Sequence, residues 1–214
     1  MSLPCLMLLL VQACIPKEDQ PLIGVKIYTH DGPYDQLFRR WNQMGINTGF
    51  CSEELISDPD FMREAAEHQI TTYAIFPVFF DPDEIARFPH LAAIKQDGEV
   101  AAEEWVEFVC PSREDYRQQV IAHARQLVRD HRPDGISIDF IRHFVYWEKV
   151  YPDRDPATLP VSCFDSLCLD HFQSETGLSI PTELQSISEK ALWILEEHGD
   201  AWTHWRCGLV TSMV

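Results

Sequence analysis

The sequence predicts an α/β protein, a parallel (β/α) barrel of the TIM type of which about four strands are legible. Three observations predict it. Short β-rich runs alternate with amphipathic segments along the chain, the order that a parallel sheet with crossover helices produces. The run Asp134-Gly135-Ile136-Ser137-Ile138-Asp139 ends an apolar strand on a carboxylate, and the C-terminal ends of parallel strands are where such folds do chemistry. No Gly-x-Gly-x-x-Gly follows the first strand, which removes the dinucleotide-binding alternative.

The chain is long enough, at 214 residues, for one domain with its own core. Its 34 Asp and Glu against 17 Lys and Arg leave a formal charge of −17, which argues against nucleic-acid binding, since that needs a basic face to meet phosphates. A neutral partner such as a carbohydrate suits this surface better. Cys5, Cys14, Cys51, Cys110, Cys163, Cys168 and Cys207 are scattered without metal-ligand spacing, so no metal centre and no cofactor are expected. The four residues between Cys163 and Cys168 give only a weak zinc or disulfide hint.

Residues 1–20 read as a leader and linker, and residues 21–214 as the N-terminal part of the barrel. Leu6 to Val11 is too short to span a bilayer and runs into Val11-Gln12-Ala13-Cys14, which is similar to a bacterial lipoprotein signal. That resemblance implies export to the periplasm or cell surface and membrane association through a lipid on Cys14, a feature read out by the mass of the mature N-terminus. The same run also reads as a buried first strand.

In the barrel, Ile23 to Tyr28 is the first strand, with Tyr28 and His30 at its mouth. Asp31-Gly32-Pro33 starts a helix in which Leu37, Trp41 and Met44 share a face, and Gly45 closes it. Ile46 to Cys51 is the second strand, Asp58-Pro59 opens the next helix, and Ile70 to Phe80 is the third strand. The interval 81–109 is too long for a plain connection and holds a hairpin signal at Gln96-Asp97-Gly98-Glu99. Within it Trp105 reads either as a stacking platform for a sugar ring or as loop packing. Ser112 to Asp115 is a near capping box for a helix whose inner face is Tyr116, Val120, Ala124 and Leu127. That helix leads to the fourth strand, Gly135 to Phe140. A second insertion, 144–199, contains a short helix from about Cys168 to Glu175, and a last helix carries Trp202, Trp205 and Leu209.

The motif Asp-Gly-Ile-x-Ile-Asp-x-Ile-Arg-His at 134–143 resembles the fourth-strand motif of a glycosyl-hydrolase-like barrel family related to the α-amylase superfamily. Val109-Cys110-Pro111-Ser112, Phe172-Gln173-x-Glu175-Thr176-Gly177 and Trp202-x-x-Trp205-Arg206 extend the resemblance in order along the chain. It implies a glycoside hydrolase with Asp139 as catalytic nucleophile. Arg142 would hold the charge of that carboxylate, while Tyr28, His30, His143 and Trp105 would meet the sugar. The residues alone also allow Asp139 to be a structural cap paired with Arg142.

The general acid of that family lies on a later strand than any legible here, which leaves Glu53, Glu54 and Glu104 as candidates. Two other classes stay open: a metal-dependent hydrolase built on His30, Asp139 and His143, and a noncatalytic carbohydrate-binding protein or inactive fragment. The expected structure is an open four-stranded parallel sheet with Asp139 at its C-terminal rim and an unpaired edge that invites self-association.

Overall fold

The computed structural model describes residues 21–147, 151–155 and 158–214, so Cys14 and the leader lie outside the described residues. The chain runs β1 (Gly24–Ile27), α1 (Tyr34–Gln43), β2 (Thr48–Cys51), α2 (Glu53–Ser57), α3 (Pro59–Glu67) and β3 (Thr71–Pro77). Then follow α4 (Pro82–Arg87), the hairpin strands β4 (Ala102–Glu103) and β5 (Val106–Glu107), α5 (Glu114–His131) and β6 (Gly135–Asp139). Three helices complete it: α6 (Ser166–Thr176), α7 (Ile187–Glu197) and α8 (Gly199–Thr211).

Local chemistry sets most boundaries. In α1, Pro33 stands just before the first turn, Phe38 and Trp41 are buried, and Gly45 leaves the helix at φ 76°, where a side chain would be strained. Met44, expected on the apolar face, is 62% exposed because it falls at the C-cap, beyond the stripe that faces the core. The Asp58 carboxylate caps α3 by accepting from the N–H groups of Asp60 and Phe61, with Pro59 in the first turn, where its missing donor costs nothing. Ser112 does not cap α5. The N-cap is Arg113, without a side-chain cap, and Ser112 is buried against Cys168.

The sheet order is β1-β2-β3-β6, every pair parallel, as expected for this part of a TIM-type barrel. One face is covered by helices: Cys51, Ala74 and Phe76 are buried there, the Trp41 ring lies against Gly49, and His123 of α5 meets the edge of the Phe76 ring. The other face carries Lys26, Phe50, Tyr73 and Ser137 and is largely open. Phe50 stacks on Tyr73 at 5.4 Å. A Cβ on Gly135 would stand 2.5 Å from the Tyr73 ring and one on Gly24 2.6 Å from the Phe50 ring, so glycines on both edge strands make room for the stack.

The interval 81–109 folds as a small antiparallel assembly. Ile94 bridges Val100 around Gly98, and β4 pairs with β5 around Glu104 and Trp105. In the second insertion, Asp165 caps α6 and Gly177 closes it. The Ser186–Glu189 capping box of α7, absent from the sequence reading, starts a further helix inside that insertion. Trp202 and Trp205 of α8 pack on Phe172, joining α6 and α8 to the common core.

Candidate active site

The period-2 alternation of β6 turns Asp139 onto the open face at the end of the strand. Phe140 then takes φ 50°, which turns the chain, and its N–H donates to Asp139 Oδ1 at 2.9 Å. The other carboxylate oxygen accepts from Lys26 Nζ at 2.9 Å. Lys26 belongs to β1, at the opposite edge of the sheet. In a flat sheet the two edge strands would lie about 14 Å apart with side chains parallel, so this pair can close only because the sheet curls and its open face is concave. The Lys26 ammonium titrates above its ordinary range, first because it donates to Asp139, with smaller contributions from the carboxylate charge and from Tyr28. Tyr28, Lys26 and Asp139 are thus neighbours at the mouth.

An aromatic wall adjoins them. Phe80 stacks on Phe140 at 4.7 Å, and Trp105 meets the Phe80 ring edge-on at 5.5 Å while remaining 52% exposed. The Arg142 guanidinium lies over the rings of Phe108, Phe140 and Trp147 and donates to the Val145 carbonyl. The cation paired with Asp139 is therefore Lys26, and Arg142 serves the wall. Tyr146 and Tyr151 both donate their hydroxyls to Glu104, at 2.9 and 2.8 Å, which fixes the turn that presents Trp105.

Of the two histidines expected at the mouth, His143 turns away from it: its Nε2–H donates to the Arg206 carbonyl at 3.0 Å, and burial pushes its pKa down to about 4. His30 packs over Gly32 and beside Tyr34. Among the described residues His30, Asp139 and His143 do not gather their ligand atoms, so the metal-hydrolase trio is not assembled. Of the candidate acids, Glu53 bonds His123 of α5 at 2.8 Å and Glu104 holds the two tyrosines. Lys26 escaped the sequence reading, although alternation places Gly24, Lys26 and Tyr28 on one face of β1 and could have found it. A cleft of about 690 Å³ lies elsewhere, between the start of α5, α6 and α8.

Fold and site together define an α/β protein of the (β/α)-barrel type with a carboxylate at a strand mouth. No family model matches the sequence, and no curated protein matches it. Among solved structures the chain is similar to the β-galactosidase of the haloarchaeon Halorubrum lacusprofundi, at 13% identity and TM-score 0.54 over 73% of this chain and 25% of that one. It is also similar to the β-galactosidase of Marinomonas ef1, at 14% identity and TM-score 0.52 over 90% of this chain and 28% of that one. A third, from Rahnella sp. R3, gives 15% identity and TM-score 0.51 over 75% and 25%. The chain spans about a quarter of the length of these structures. The likeness is one of fold, shared with carbohydrate-acting hydrolases.

Proposed function

We propose that the protein acts on a carbohydrate as a glycoside hydrolase, with Asp139 as the nucleophile. The observation that carries this is the placement of Asp139: it ends a parallel strand on the concave face, 29% exposed, with a cation at 2.9 Å and exposed aromatic rings beside it. The fold shared with β-galactosidases supports the reading. Pyranose rings present C–H faces that stack on indole, and Trp105 and Trp147 are both more than half exposed. Bound in that way, a sugar would bring its anomeric carbon to Asp139 Oδ2 once the half-exposed Lys26 side chain swings aside. A second carboxyl group must then protonate the leaving oxygen, from about 5 to 5.5 Å away in a retaining enzyme or roughly 6.5 to 9.5 Å in an inverting one.

A second reading, carbohydrate binding without turnover, is favoured by the partners of the candidate acids: Glu53 is bonded to a histidine of the helix layer, and Glu104 to two tyrosine hydroxyls. One experiment separates the two. Turnover of a panel of chromogenic glycosides is measured beside calorimetric binding, for the wild type and Asp139→Asn. Hydrolysis lowered about a thousandfold or more in the variant, with cooperative unfolding intact, is the expected result. Unchanged turnover removes Asp139 as nucleophile, and binding without any wild-type turnover establishes the second reading.

A further inference from the structure

Three cysteines that are scattered in sequence meet in the core. Cys110 lies just before α5, Cys163 just before α6, and Cys168 in the first turns of α6. The Sγ atoms of Cys110 and Cys168 are 3.1 Å apart, the Cys168 thiol donates to Ser112 Oγ at 3.2 Å, and Cys163 Sγ accepts from the Ile94 N–H at 3.1 Å. The Asp165 carboxylate joins them. One ligand atom from each of these four residues lies within 4.8 Å of the others, and all four residues are buried.

A second observation points to the same place. Among the described residues five buried polar atoms have no hydrogen-bond partner: Arg113 Nε, His143 Nδ1, Ser162 Oγ, Trp202 Nε1 and Arg206 Nε. Arg113 donates to Asp165, Ser162 precedes Cys163, and Trp202 stacks on Phe164, between Cys163 and Asp165, at 4.6 Å. Three of the five, Arg113, Ser162 and Trp202, therefore adjoin the cluster directly or through one neighbour. Buried polar atoms are nearly always paired, so a concentration of orphans marks a spot where a charged or polar partner belongs.

We propose that Cys110, Cys163, Cys168 and Asp165 form a structural site for a soft divalent cation, zinc by their donor set. Three thiolates and a carboxylate make a closed four-coordinate shell, and sulfur selects zinc over harder ions. Two sulfurs each about 2.3 Å from a tetrahedral ion stand about 3.8 Å apart, so the 3.1 Å pair needs to open only slightly to admit it. Four anionic ligands around a divalent ion leave two negative charges, and the Arg113 guanidinium, which donates to Asp165, offsets part of that excess. A Cys110–Cys168 disulfide would use two sulfurs and leave the Cys163 thiol and the orphaned donors unanswered. The ion would clasp the loop before α5 to the helices of the second insertion, independently of what Asp139 does.

Elemental analysis of the intact chain, expressed with added zinc, should find about one zinc per molecule. Cobalt exchanged into it should show thiolate-to-cobalt charge-transfer absorption. Chelation should lower the unfolding temperature by at least about 10 °C. Cys163→Ser should lose the metal, while Cys207→Ser, at an exposed position, should keep it. Should Cys163→Ser fail to fold, the wild-type cobalt spectrum and the chelation shift still decide. A folded chain with neither zinc nor the cobalt band, zinc held unchanged by Cys163→Ser, or a Cys110–Cys168 disulfide in non-reducing peptide mapping would overturn the proposal.

Discussion

At the sheet mouth, Lys26 and Asp139 meet with 51% and 29% of their side chains in water, whereas Cys110, Cys163, Asp165 and Cys168 meet where almost none of theirs is. Both groups join distant parts of the chain. Their physics differs because of solvent. At the mouth, water screens the ion pair and a side chain can exchange one partner for another, which a site that must admit a substrate requires. In the sealed region each donor or charge left unmatched carries its full desolvation penalty, so the arrangement is fixed and tolerates little change. The proposed substrate site is thus built from a weak pair, and the proposed clasp from buried groups.

Three experiments press on that contrast, from the largest effect to the smallest. Phe164 is fully buried and stacks on Trp202 at 4.6 Å between two of the clustered side chains. Phe164→Ala should lower stability by about 3 to 5 kcal/mol in urea denaturation. A loss under about 1 kcal/mol would show that the region is not sealed.

His143 tests desolvation. Its folded pKa near 4 lies below the ordinary 6.5, so the unfolded chain takes up the proton first as pH falls. Its contribution is complete above pH 6.5 and is lost as pH falls toward 4, on the order of 3 kcal/mol in all. The imidazole signals in NMR should stay in the neutral form down to about pH 4, and a midpoint near 6.5 would contradict the burial.

The smallest effect belongs to the mouth. Lys26→Met should cost under about 1 kcal/mol at neutral pH and less still in high salt. Because the lysine's folded pKa is raised, what the pair contributes is fully present below 10.5 and fades as pH rises past the raised folded value. A cost of several kcal/mol, insensitive to salt, would place the pair on the buried side of the comparison.

Much of the architecture was written in local sequence. The strands around Val25, Phe50, Ala74 and Ser137 were legible within a few residues, because alternation and the turn chemistry of Gly45 and Asp58-Pro59 act over a handful of positions. The strand-end position of Asp139 follows from the same rule. The one-turn helix α2 was not legible, being too short to show a period, and Ser112 misled because its hydroxyl meets Cys168 rather than a helix N–H.

The tertiary structure alone decided who meets whom. Lys26 reaches Asp139 across 113 positions because the sheet curls, and Cys110 reaches Cys168 across 58 because the second insertion folds back on the loop before α5. The turn of His143 toward Arg206, 63 positions away, depends on where α8 packs. Periodicity tells which face of its own element a side chain occupies. Whether two such faces converge is set by curvature and packing summed over the whole chain, and no local window of sequence contains that sum.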